Sequence, residues 1–369
     1  AASAIYGTRS SNGVILITTK RGKAGVTDVV FNSQYGMQKI SNKLDLLNAE
    51  QYADICDEAL ANAGLSTVWN NSVSGVGTDW QDVVFQNATY QKYDLTVSKG
   101  SENTQFLLGA GYLGQEGTVR YSGLDRYNIR FNIDSKVNNR LNVGANLNLA
   151  RTDEDMIDVE INGVVRSALF QPPTVEIYNP DGSYAGPGAN EGDAQNPLGM
   201  ADRSDKSSQN NLAFGNIFGE YSILPNLKFR SSLGVNIYST LTLDFVPTFS
   251  EGNANRNVNS LLQTSINYSD IIWENTFNFK PQIGEFVKLD ILAGNTVESS
   301  KNQVMSGYRE GFAGNMDFLQ YLDGGSFNDK TRGNLYEWSL ASFYGRATVD
   351  LKGRYLMTAN VRVDGSSRF

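Results

Sequence analysis

The sequence predicts an all-β chain folded as an antiparallel transmembrane β-barrel. Three features carry that expectation: strict two-residue periodicity over unusually long stretches, alternation of tight and long connections, and a composition rich in Gly, Asn and Tyr. Over 227–245, Leu227, Phe229, Leu233, Val235, Ile237, Leu241, Leu243 and Phe245 fill alternate positions, with Lys228, Arg230, Asn236, Thr240 and Asp244 between them. A period of two sustained over that length turns one face to an apolar medium and the other to a polar one. At about 3.3 Å per residue the stretch is about 60 Å long, far beyond the roughly five or six residues of a globular strand. Lengths of this kind favour a barrel facing lipid over a soluble two-sheet sandwich.

The elements follow in order. Strands are expected near 28–38, 91–99, 104–116, 123–137, 140–151, 209–223, 227–245, 262–280, 286–298, 336–351 and 354–364, eleven in all. Tight links at Lys99–Asn103, Asn138-Asn139, Leu224-Pro225-Asn226, Gln282–Glu285 and Lys352-Gly353 supply the residues that tight turns need. Between them stand long links at about 39–90, 152–208, 244–261 and 299–335, with 117–122 as a short exception. This is the rhythm of short periplasmic turns and long extracellular loops. An odd strand count would leave a bare edge in lipid, so the chain is expected to be part of a longer one. One loop helix is expected from Asn48 to Gly64, with Asn48 and Gln51 as a capping box and Tyr52, Ile55, Cys56, Ala59 and Leu60 on its buried face.

Composition excludes other classes. The chain of 369 residues has no histidine and one cysteine, Cys56, which removes the commonest general base, the commonest zinc ligand and any disulfide framework. No catalytic group, metal site or cofactor is therefore assigned. With 31 Lys+Arg against 39 Asp+Glu there is no basic footprint for nucleic acid. No apolar run approaches the roughly 18 residues of a membrane-spanning helix, and no signal peptide is visible at Ala1–Gly7.

Several strings carry a family resemblance. Ala4-Ile5-Tyr6-Gly7 through Asn12-Gly13-Val14-Ile15-Leu16-Ile17-Thr18-Thr19-Lys20 resembles the end of the plug domain of SusC/RagA-type TonB-dependent transporters of Bacteroidetes. Leu47-Asn48-Ala49-Glu50-Gln51-Tyr52, Thr78-Asp79-Trp80-Gln81-Asp82, Tyr93–Ser98, Gly111–Gly117 and the closing Val363-Asp364-Gly365-Ser366-Ser367-Arg368-Phe369 extend the similarity. The resemblance implies about 22 strands around a plug, and divides this chain into a plug end at 1–25 and the first half of a barrel at 26–369. It also implies an outer-membrane location, nutrient import driven through TonB, and a SusD-like surface lipoprotein as partner, with an oligosaccharide or a peptide as substrate. Most of the plug is missing from the sequence. Phe369 resembles the terminal aromatic residue of finished barrels, but it sits in a string that lies mid-barrel in that family.

The long links contain Trp69, Tyr178, Asp181, Tyr184, Asn190, Tyr308, Arg309 and Tyr321, residue types that stack on and hydrogen-bond a glycan or peptide. The same residues would equally pack loop against loop or form an interfacial girdle. Asp153, Asp155, Asp158 and Glu160 have oxygen ligands for calcium without EF-hand spacing, and read better as a solvated cluster. Two other functions fit parts of the pattern: an open passive porin, and a soluble secreted carbohydrate-binding or hydrolytic β-protein.

Overall fold

The computed structural model describes Gly7, Gly25 and residues 27–368, except 71, 160–162, 189–190 and 285. The strands are β1 (Thr27–Gln38), β2 (Ala88–Gly100), β3 (Thr104–Glu116), β4 (Gly123–Lys136), β5 (Leu141–Met156), β6 (Asp205–Leu224) and β7 (Leu227–Val246). They continue with β8 (Phe249–Glu251), β9 (Ala254–Arg256), β10 (Ser260–Phe279), β11 (Gln282–Ile283), β12 (Val287–Glu310), β13 (Phe327–Leu351) and β14 (Tyr355–Ser366). Eleven long strands form one antiparallel meander in the order β1-β2-β3-β4-β5-β6-β7-β10-β12-β13-β14. The short β11 pairs with β12, and β8 with β9 makes a separate hairpin inside a loop. Consecutive pairing throughout is what tight turns at one edge of the wall require.

Register places the alternating rows on one face. Phe31 pairs with Leu95, Leu95 with Ala110, Ala110 with Ile129, Ile129 with Leu149, Leu149 with Ala213 and Ala213 with Ile237. No second sheet covers this face among the described residues: Leu233 is 39% exposed, Ile237 42% and Phe343 67%. A sandwich would bury all three, so the row faces lipid. The exception is Phe245, which is buried with Leu261 and Phe312 where the strand passes into the loops. Aromatic rings mark the same apolar face. Phe31, Tyr93, Tyr112 and Tyr127 follow one another at centroid distances of 6.4, 6.2 and 5.2 Å, and Phe229 lies 4.8 Å from Phe277 on strands β7 and β10. Such belts sit at the two bilayer interfaces.

The opposite face is polar, with Asn132, Thr296 and Ser342 fully buried among neighbours. On it, Arg362 donates to Asp364 Oδ1 at 2.7 Å and to Ser342 Oγ at 2.8 Å, and lies over the Tyr344 ring at 5.3 Å. Gly7 abuts this cluster with φ +68°, and a Cβ there would come within 2.6 Å of Arg362 Nε. Only glycine fits that approach without strain.

Three departures from the sequence reading have physical causes. Strands β12 and β13 run 24 and 25 residues, well past the expected 286–298 and 336–351. Their outer halves carry Gly, Ser, Asn and Lys on both faces, so the hydropathy pattern fades where they leave the bilayer while pairing goes on. Helix α1 (Ala49–Asn62) has the expected capping box, but it packs through Ala49 and Ala53, which leaves Ile55 exposed and Cys56 half-buried. Three further helices, α2 (Trp80–Val84), α3 (Val164–Phe170) and α4 (Pro197–Asp202), are too short to show a 3.6-residue period. The strings at 1–6 and 8–24, and Phe369, lie outside the described residues.

Candidate functional site

The long loops interlock above the wall. Trp80, Val84, Val119, Val164, Ala168, Val175, Ala185 and Ala201 form a single buried cluster drawn from the first and second long loops and the short link after β3. Hydrogen bonds fix the packing. Trp80 Nε1 donates to the Pro172 carbonyl at 3.0 Å, Thr78 N to Pro173 O at 2.9 Å and Thr78 Oγ1 to Val175 O at 2.8 Å.

Asn196 is the centre of the second loop. Its Oδ1 caps α4 by accepting from Leu198 N and Gly199 N, while its Nδ2 donates to Ile177 O at 2.9 Å and Ala185 O at 2.8 Å. The backbone N of Asn196 donates to Glu251 Oε2 at 3.0 Å, and Glu251 also pairs with Arg203, so the β8–β9 hairpin is clasped into the second loop. Arg203 lies over the Phe249 ring at 4.3 Å. On the far side, Asn315 exchanges hydrogen bonds with Thr248, Gln320 donates to Asp205, and Asn259 holds Phe312 N and Gly314 O. The second, third and fourth loops are thus one connected layer.

Within it, the sequence candidates fall into three groups. Tyr178, Asp181 and Tyr184 meet on one turn: the Tyr rings lie 5.4 Å apart, and Asp181 Oδ1 accepts from Ser183 Oγ at 2.6 Å and Ser183 N at 2.9 Å. Those two bonds hold the Asp181 carboxyl below its ordinary range. Tyr184 donates to Asp202 Oδ2 at 2.8 Å, and burial together with that carboxylate makes its hydroxyl a much weaker acid than usual. Trp69 is elsewhere, edge-on to Tyr52 at 6.1 Å. Tyr308 donates to Glu310 within β12, and Arg309 Nη1 donates to Gly325 O at 3.2 Å, so Arg309 ties β12 to the loop that follows it. Tyr321 is exposed. Asn190 and Glu160 lie outside the described residues. Of the acidic cluster, Asp153 is already held by Arg151 at 2.9 Å and by Gln209 at 3.1 Å. Among the described residues no group of three acidic or cysteine side chains is placed to hold a metal ion.

Residues the sequence reading passed over do most of the positioning: Asn196, Glu251, Asn259, Gln81 and Asp57. Only Asn196 had a local signal, as Asn followed by Pro at a helix start. Asp57 accepts backbone N–H groups from Val68 at 2.8 Å, Trp69 at 3.2 Å and Asn70 at 2.7 Å. Desolvation pushes its carboxyl up, but the three bonds outweigh this and hold it below the usual carboxylate range. A depressed folded value means that the grip is complete above the ordinary carboxylate pKa of about 3.9 and is lost as pH falls through the depressed one. Amide protection at 68–70 should therefore survive at pH 5 and vanish only in stronger acid, while Asp57→Asn should remove it at neutral pH. Loss of protection already at pH 5–6 in the unaltered chain would refute this account.

Two cavities lie between the first and second loops. One, of about 320 Å³, is lined by Leu46, Leu47, Tyr52, Val76, Phe170 and Gln171 among others. Its neighbour, of about 460 Å³, shares Tyr52 and Phe170 and adds Arg166, Glu191 and Asp193.

No protein-family model matches the chain. It is 28% identical over 376 residues to TonB-dependent receptor P3 of Formosa agariphila, covering 100% of this chain and 36% of that protein. It is likewise 28% identical over 395 residues to TonB-dependent receptor SusC of Bacteroides thetaiotaomicron, covering 100% of this chain and 38% of the relative. The chain thus spans little more than a third of the length of these relatives. The solved RagAB peptide importer in its open-open state superposes with a TM-score of 0.83 at 24% identity, over 100% of this chain and 45% of that one. The relatives are receptors and transporters rather than enzymes. The resemblance read from the motifs therefore holds: along its whole length the chain is related to the SusC/RagA-type TonB-dependent transporters of the outer membrane, and its eleven-stranded wall has the fold of that part of a RagA-type barrel.

Proposed function

We propose that this chain is part of a gated outer-membrane importer of nutrients, with 1–25 as the end of a plug and 26–369 as barrel wall and outer loops. The observation that carries the reading is the eleven-strand meander itself, apolar towards lipid and polar within, matched over its full length to TonB-dependent receptors. An outer membrane holds no ATP, so uptake against a gradient draws on TonB, and a plug conformation stabilised by bound substrate is the element a periplasmic partner pulls. A SusD-like lipoprotein outside and an oligosaccharide or peptide as cargo complete the reading. The likeness to an importer solved in open-open and closed-closed states supports it. Tyr178, Asp181 and Tyr184 stand as contacts to cargo on the outer layer, with Trp69, Asn190, Tyr308 and Arg309 as further contacts.

Conductance tests the gate. The full-length protein in planar bilayers should pass little steady current, a reading supported by the contact of Gly7 with Arg362 on the polar wall. Gly7→Val, which drives a branched side chain into Arg362 at a positive φ, costs about 1–3 kcal/mol of local strain and should raise that current. A large steady conductance in the unaltered protein would overturn the gated reading in favour of a passive porin.

A further inference from the structure

From the 320 Å³ cavity between the first and second loops, we infer a binding site for a short extended peptide, separate from the lumen. Gln171 lines this cavity and is only 4% exposed, yet both atoms of its side-chain amide lack a hydrogen-bond partner. A buried carboxamide left unpaired on both sides is costly, and folded proteins keep few of them. The surroundings explain what it is suited to. The backbone of the Gln171 segment is already occupied: Gln171 N donates to Ser167 O, Pro172 O accepts from Trp80 and Pro173 O from Thr78. The side-chain amide is spare.

The same cavity shows how such an amide is used. Gln81, on the facing loop, accepts from Leu44 N at 2.9 Å and donates to Leu44 O at 2.8 Å, gripping both main-chain groups of one extended residue. In an extended chain the N–H and C=O of one residue point to the same side, so a carboxamide can satisfy both at once. Gln171 offers the same donor and acceptor to a second strand of chain, and its broad terminal torsion lets the amide turn to meet it. Leu46, Val76 and Phe170, all exposed at the rim, give the apolar walls for that residue's side chain. Of the other polar side chains on the cavity wall, Asp79 caps the helix at Trp80 and Gln81 is taken by Leu44, so the Gln171 carboxamide beside Leu46, Leu47, Val76 and Phe170 suits the paired N–H and C=O of a peptide unit. A sugar hydroxyl, donor and acceptor on one atom, matches this spaced pair less well. The site does not depend on the import reading, since occupancy is read without transport.

The test uses the full-length protein in detergent, titrated calorimetrically with N-acetyl-leucyl-leucine methylamide and with the same probe methylated on its backbone nitrogens. Saturable binding is expected, weakened about tenfold or more by the N-methylation and by Gln171→Met, as for loss of a buried hydrogen-bond pair. Gln171→Met keeps the volume and removes the unpaired amide, so its thermal midpoint should not fall. No saturable binding at 10 mM probe, equal affinity for both probes, or equal binding by a maltooligosaccharide would each overturn the inference.

Discussion

Replacing Glu251 by alanine is expected to release the second long loop while leaving the barrel wall intact. Glu251 is 2% exposed and is held by Asn196 N and by Arg203, with Gly186 backbone packed against its own carbonyl. Removing one partner of a buried pair strands the other, and Arg203, itself mostly covered, would keep a charge with no carboxylate to answer it. Such a loss costs about 3–5 kcal/mol. The Asn196 N–H would lose its acceptor as well, adding the penalty of an unpaired buried donor, about 1–3 kcal/mol. Among the described residues the layer has no long strands of its own between 157 and 204, so that sum is enough to open it locally. Limited proteolysis should show new cuts between 176 and 203 in Glu251→Ala, with hydrogen exchange rising there and not in β4 to β7. The double variant Glu251→Leu with Arg203→Met removes both charges together and should restore much of the protection. Unchanged protection in Glu251→Ala would mean that the hairpin of β8 and β9 clasps nothing.

Arginine in place of Val235 should be far more damaging than arginine one residue on, at Asn236. Val235 lies in the row formed by Leu147, Gly215, Val235 and Ile271, in the middle of the apolar face, whereas Asn236 points the opposite way beside Phe214 and Asp270. A charge on the lipid face near the bilayer midplane costs about 2–4 kcal/mol, and on the lumen face little. Urea unfolding of the full-length protein in lipid vesicles should lose that amount for Val235→Arg and stay near the unaltered value for Asn236→Arg. Equal effects at the two positions would remove the assignment of inside and outside on which the membrane reading stands.

Much of the wall was legible because its information is local. Each strand repeats every two residues, so 227–245 and 123–137 declare their faces without any partner, and Asn, Gly and Pro between them declare the turns. Asn48 with Gln51 declared the start of α1 in the same way, and the observed capping box matches it. The plug-end and Asp364–Arg368 strings pointed to the same family that the full-length relatives support. What failed to show was equally consistent. The overhangs of β12 and β13 stand outside lipid, where neither face must be apolar, so their pairing leaves no hydropathy signature. Among the site candidates, Tyr178, Asp181 and Tyr184 met because one turn brings them together, while Trp69 and Tyr308 were directed elsewhere by Tyr52 and Glu310.

Sequence alone therefore determined the order of the long strands, the cores of those strands and their apolar and polar faces, because each follows from spacing along the chain. Tertiary structure alone decided which loops touch. Asn196 meets Glu251 across 55 positions and Trp80 meets Pro172 across 92, and no local period encodes either contact. The physical reason is that a strand in a bilayer is specified by its solvent, residue by residue, whereas an irregular loop is specified only by the distant groups that satisfy its backbone and fill its core.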